Sequence, residues 1–116
     1  MAKENIIIDK TFEFSLRIIE LYKYFTIEKK EYILSKQLLK YATSIGANVE
    51  EATAAQSRKD FLSKMSIASK EARETTYWLR LLIKSDYITD DGILNNSIEI
   101  KKIITSIVKT TSAQKD

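Results

Sequence analysis

The chain has 116 residues and a formal net charge of +3, from 19 Lys and Arg against 16 Asp and Glu. It contains no His, no Cys and no Pro, and only two Gly, Gly46 and Gly92. Disulfides, imidazole or thiolate metal sites, Ser-His-Asp or Cys-His nucleophile systems and a glycine-rich phosphate loop are therefore excluded.

Without Pro to interrupt it, the chain is expected to be all-α, and hydrophobic spacing divides it into four amphipathic segments. The first is predicted over residues 9–25. Phe14, Ile18, Leu21 and Phe25 recur at the spacing of one helix face, and Ile8, Phe12, Ile19 and Tyr22 are expected to widen it. The second is predicted over 32–54, with a stripe of Leu34, Leu38, Ala42, Ile45, Val49 and Ala52. Its small residues Ala42, Gly46, Ala47 and Ala52 would let a neighbouring helix come close.

The third segment, 57–86, opens on Ser57-Arg58-Lys59-Asp60, a hydroxyl followed three residues later by a carboxylate, as in a capping box. Phe61, Met65, Ala68, Ala72, Thr75, Leu79 and Leu82 then alternate steps of four and three, the a and d positions of a bundle seam. The fourth is predicted over 90–111, with acids at its positive end and Ile93, Ile100, Ile103, Ile104 and Ile107 on its buried face. Its β-branched content favours strand, but its period is helical, and period decides. Short connections make neighbours antiparallel, so the expected architecture is a single-domain, up-down-up-down four-helix bundle over residues 1–116.

The charge is unevenly placed. Residues 1–31, 32–57 and 87–116 are each balanced, so the whole excess lies in 58–86, with seven bases and four acids. On the heptad of the third segment, Lys59, Ser66, Arg73 and Arg80 share position b, while Ser63, Lys70, Tyr77 and Lys84 share the adjacent position f. Lys59, Lys70, Arg73, Arg80 and Lys84 could contact phosphates, and Tyr77 could stack on a base. Equally, b and f are where any bundle places solvated charge. Ile67, Trp78 and Leu81 form an apolar strip at positions c and g, with Glu71 and Glu74 between them. Such a strip marks either a surface between subunits or a wider internal packing face.

Glu50-Glu51 and Glu71…Glu74 are the candidate carboxylate pairs. Di-iron bundles need Glu-x-x-His motifs, which a chain without His cannot supply, so salt bridges to nearby Lys and Arg are the expected role. Asn48 reads as a structural hydrogen-bonding group. No catalytic, metal or cofactor site is expected, and the chain reads as a non-enzyme. The three Ile before Asp9 are too short a run for a signal peptide core, and no apolar run is long enough to span a membrane. The lack of Cys fits the cytoplasm.

Gln37-Leu38-Leu39, Ser44-Ile45, Asn48-Val49-Glu50-Glu51-Ala52, Gln56 to Phe61, Ile67 to Ala72 and Glu74 to Leu79 follow one another in an order and spacing that resemble a known family. It is the bacterial four-helix-bundle family linked to intervening sequences of 23S ribosomal RNA genes. The resemblance runs from about Phe12 to Val108, and extends to the accessory variability determinant of diversity-generating retroelements. It implies a four-helix fold, a ring-shaped homopentamer, no enzyme activity, and RNA or DNA binding. A partner protein such as a reverse transcriptase is the other partner it implies. Two departures are that the first connection lacks Pro, and that Thr53 stands where the family often has Gly.

Overall fold

The computed structural model describes residues 3–114. It contains α1 (Lys3–Ile27), α2 (Leu34–Thr53), α3 (Arg58–Lys84) and α4 (Gly92–Ala113), with no strand among the described residues. Helices adjacent in sequence pack together, α1 also packs on α4, and the backbones of the diagonal pairs do not approach closely. This is the expected up-down-up-down bundle, 51 Å long. The tightest pairing is α2 on α3, and the loosest is α1 on α4.

Each helix buries one stripe. On α1 it is Ile7, Thr11, Phe14, Ile18 and Phe25, so the helix begins at Lys3 rather than near Asp9. The isoleucine run has a β preference, but Ile7 falls on the stripe of Phe14 and Ile18 and is fully buried, and that packing overrides propensity. Phe12 does not widen this face. It stands two residues from Phe14, about 200° around the helix, and is 56% exposed. Ile8, Ile19 and Tyr22 are half-buried at the edges.

Gly46 lies against Thr11 and Ser15 of α1. Ala42 and Ala52 are buried, whereas Ala47 faces outward. On α4, Ser97 occupies the stripe position between Ile93 and Ile100. Its hydroxyl meets that of Thr76 at 2.8 Å, a buried hydrogen bond joining α3 and α4. The other buried threonines, Thr11 and Thr75, donate to carbonyls one turn earlier, at Ile7 and Glu71.

The helix ends show how the chain turns without Pro. Lys30 and Asp86 take left-handed conformations, at φ 55° and 68°, after α1 and α3. The turn after α2 contains no positive φ, which is why Thr53 needs no glycine near it. Ser57 caps α3 as expected, accepting the Asp60 N–H at 3.0 Å. At α4, Asp90 accepts the N–H of Gly92 at 2.9 Å. Sequence spacing did not reveal the cap of α2. The Glu31 carboxylate accepts the N–H groups of Ile33, Leu34 and Ser35 at 3.1, 2.9 and 2.8 Å. Partial burial would raise this carboxyl, but those backbone donors and the Ser35 hydroxyl outweigh it, and the net effect holds it below its ordinary value of 4.5.

Two stability outcomes follow. Glu31→Ala should cost about 1 kcal/mol at pH 7, the usual scale of a lost cap. A carboxyl with a depressed pKa contributes above its unfolded pKa and loses that contribution as pH falls through the folded one. The gap between wild type and variant in urea unfolding should therefore narrow from pH 7 to pH 3. An equal gap at both would show that the carboxylate charge is not what caps the helix. Gly46→Ala should stabilise by roughly 0.5–1 kcal/mol, because the added methyl meets Ser15 and Thr11 at ordinary contact distances of 3.5–3.6 Å. A lowered melting temperature would show that α1 and α2 cannot accommodate it.

Candidate nucleic-acid interface

Positions a, d and e of α3 turn inward: Met65, Ala68, Ala72, Thr75, Leu79 and Leu82 are buried, as are Ser69 and Thr76 at e. Two outward rows are left. Lys59, Ser66, Arg73 and Arg80 at b are all exposed, as are Ser63, Lys70, Tyr77 and Lys84 at f. Five cations and one ring thus occupy a single surface with no carboxylate in either row. Tyr77 is 52% exposed, and its ring stands edge-on to Trp78 with centroids 5.4 Å apart. The Arg73 guanidinium reaches back to the Ser69 hydroxyl at 3.4 Å.

The c and g strip is divided. Trp78 is half-buried and packs against the core of the bundle, while Ile67 and Leu81 remain 40% and 37% exposed. Part of what the sequence offered as one apolar strip is therefore covered internally. Glu71 and Glu74 lie on the α2 side. No ion pair within 4 Å is formed by either among the described residues, so the expected salt bridges are absent. Instead Glu74 engages the Tyr41 hydroxyl of α2. That hydrogen bond, the charge of Glu74, burial and the charge of Glu71 raise the phenol. Burial and the charge of Glu74 raise the Glu71 carboxyl, against weaker pulls from Lys70 and Lys40. This is a solvent-facing polar cluster between two helices. Asn48, half-buried on α2, donates to the carbonyl of Ser44 at 3.0 Å, within its own helix.

The clefts are shallow. One of about 280 Å³ runs between α1 and α4 beside Asp9, Phe14, Asn96 and Ile100, and the Lys10–Glu99 ion pair, at 3.2 Å, spans these helices. Among the described residues no group of acidic side chains is gathered to hold a metal, and no helix is long and apolar enough to cross a membrane. The α3 face is the most organised chemical feature of the surface.

Comparison with known proteins agrees with this architecture. A crystal structure from Bacteroides thetaiotaomicron, described as a protein with unknown function from the S23 ribosomal protein family, is 52% identical to this chain. The match covers 93% of this chain and 99% of that one, with a TM-score of 0.90. No curated protein matches the chain. The model of the 23S rRNA-intervening sequence protein family matches residues 3–109, nearly the whole bundle, and the chain belongs to that family.

Proposed function

We propose that the protein is a non-enzymatic, self-associating bundle that binds structured RNA or DNA through the outward face of α3. The observation that carries this reading is the pair of exposed rows holding Lys59, Lys70, Arg73, Arg80 and Lys84 around Tyr77, without an intervening carboxylate. Cations spaced along a helix match the repeated charge of a phosphate backbone, and an exposed ring among them offers a stacking surface for an unpaired base. The family name, with its link to a ribosomal RNA insertion, is consistent with a nucleic-acid partner. Self-association, pentameric by the family resemblance, would repeat this face around a ring.

A second reading rests on Ile67 and Leu81. Exposed apolar side chains beside charge suit a protein surface, and the bundle would then be a scaffold for a partner protein such as a reverse transcriptase. Salt separates the two. Phosphate binding weakens by about 0.7–0.9 log units per contact for each log unit of salt, whereas an apolar protein contact changes far less.

The discriminating variant reverses position b: Lys59→Glu, Arg73→Glu and Arg80→Glu. All three side chains are exposed, so each should alter stability by no more than about 0.5 kcal/mol. The expected result is an unchanged melting curve with loss of RNA retention in a gel-shift assay at roughly 50 mM salt, where electrostatic binding is strong. Wild-type protein that retains neither RNA nor DNA under those conditions would remove the nucleic-acid reading and leave the scaffold.

A further inference from the structure

A second cleft, of about 310 Å³, opens between α1 and the turn that leads into α4. Its apolar floor is Leu21, Ile88 and Ile93, the two isoleucines being buried and Leu21 packed on the core. Tyr24, 42% exposed, forms one wall, with the Lys29 Nζ 5.8 Å from its ring centroid. Polar groups mark the ends. Arg17 borders both this cleft and the one beside Phe14 and Asn96, so it stands toward the middle of the bundle. It is exposed and forms no ion pair among the described residues. Asp90 stands at the other end, in the turn before α4. Its Oδ1 accepts the Gly92 N–H at 2.9 Å, which orients the carboxylate and leaves Oδ2 available. Glu20 also borders the cleft but is engaged by Lys23, at 3.6 Å.

We propose that this cleft holds one unpaired guanine base. An apolar floor beside an exposed ring suits a flat aromatic ligand that keeps its edges for hydrogen bonding. The volume is at the lower limit of small-molecule pockets, the scale of a single base. Guanine separates two donors, N1–H and the N2 amino group, from two acceptors, O6 and N7. A carboxylate accepts from the first pair and a guanidinium donates to the second, and the cleft has one of each at opposite ends. Adenine and cytosine offer a carboxylate only one amino group, and uracil a single ring N–H. Lys29, beside Tyr24, would meet the phosphate of the same nucleotide. The choice of a nucleobase rests on the nucleic-acid reading above and deepens it. Arg80 and Lys84 stand on the last turns of α3, at the same end of the bundle as the cleft. A structured RNA or DNA held on α3 would therefore present a loop base there.

The test titrates isotope-labelled full-length protein with 5′-GMP and with 5′-AMP, followed by NMR. GMP should shift the amide signals of residues 17–24 and 88–93, and AMP should bind at least about tenfold more weakly. Asp90→Asn should reverse this preference, because a side-chain amide pairs with adenine rather than guanine. The variant still accepts the Gly92 N–H, so its melting curve should not change. Tyr24→Leu keeps the apolar volume and should weaken both nucleotides, since every base has a face to stack. Arg17→Gln, at an exposed position, should weaken GMP and replaces Tyr24→Leu in the comparison if that variant unfolds. No shifts at millimolar GMP, from a protein that still retains RNA in the gel-shift assay, would overturn the cleft and leave the α3 reading standing. Equal binding of the two nucleotides, or an unchanged preference in Asp90→Asn, would overturn guanine recognition. GMP shifts from a protein that retains no RNA would support the cleft and remove the α3 face.

Discussion

The fold turns on the close approach of α2 and α3, the tightest pairing in the bundle. Small side chains make it available: Ala42 and Ala52 on α2, Ala68, Ala72 and Thr75 on α3, all fully or almost fully buried. Large side chains alternate with them on the same two helices, Leu38, Ile45 and Val49 on α2 and Met65, Leu79 and Leu82 on α3, and Phe14, Phe25 and Ile18 of α1 and Ile100 and Ile104 of α4 complete the core. A core of large residues facing small ones interdigitates at native density and has one good arrangement. Enlarging an alanine on the tight side would force the helices apart and shift the outward rows of α3 with them. The position of the charged face is thus set by the smallest residues in the protein.

Buried hydroxyls play a different part on the two kinds of site. Thr11 and Thr75 satisfy themselves within their own helices and constrain nothing beyond them. The Thr76–Ser97 pair crosses between helices at 2.8 Å. The Thr76 hydroxyl donates to the Ala72 carbonyl of its own helix at 2.9 Å, which leaves Ser97 as the donor across the gap; sliding either helix would take this acceptor away from the buried Ser97 hydroxyl. The pair therefore fixes how α4 sits along α3, where isoleucines alone would tolerate slippage. No buried side-chain polar atom is left without a partner among the described residues.

Most of the architecture was legible in the sequence because a helix repeats its buried face every three or four residues, and α2, α3 and α4 keep that rhythm. The misreadings have local causes. The apolar type of Phe12 predicts a place beside the core, but its angle from Phe14 puts it outside. The spacing that starts at Phe14 predicts α1 from about residue 9, whereas the helix begins at Lys3, because Ile7 continues the Phe14 and Ile18 stripe one turn further back. The Glu31 cap is not legible from spacing, because it precedes the helix by three residues and cap preferences favour short side chains at the boundary itself. Of the candidate site, position b and f exposure followed directly from the heptad. The contact of Glu74 with Tyr41 did not, because it depends on how two helices face each other across a groove.

The charge of a single chain is modest for phosphate recognition. The excess is +3, all of it within residues 58–86, a segment that also bears four carboxylates. Assembly changes the scale of the problem. Five copies around a ring would together carry +15, and a nucleic acid already held by one face meets the next at a high effective concentration. Contacts too weak to matter singly then add within one complex. The carboxylates nearest to the cationic rows are those of α3 itself, Asp60, Glu71 and Glu74, and they lie off positions b and f. Self-association and phosphate binding, on this view, are coupled through repetition: each added copy would present the same two rows, and the outward rows of α3 would act together rather than one helix at a time.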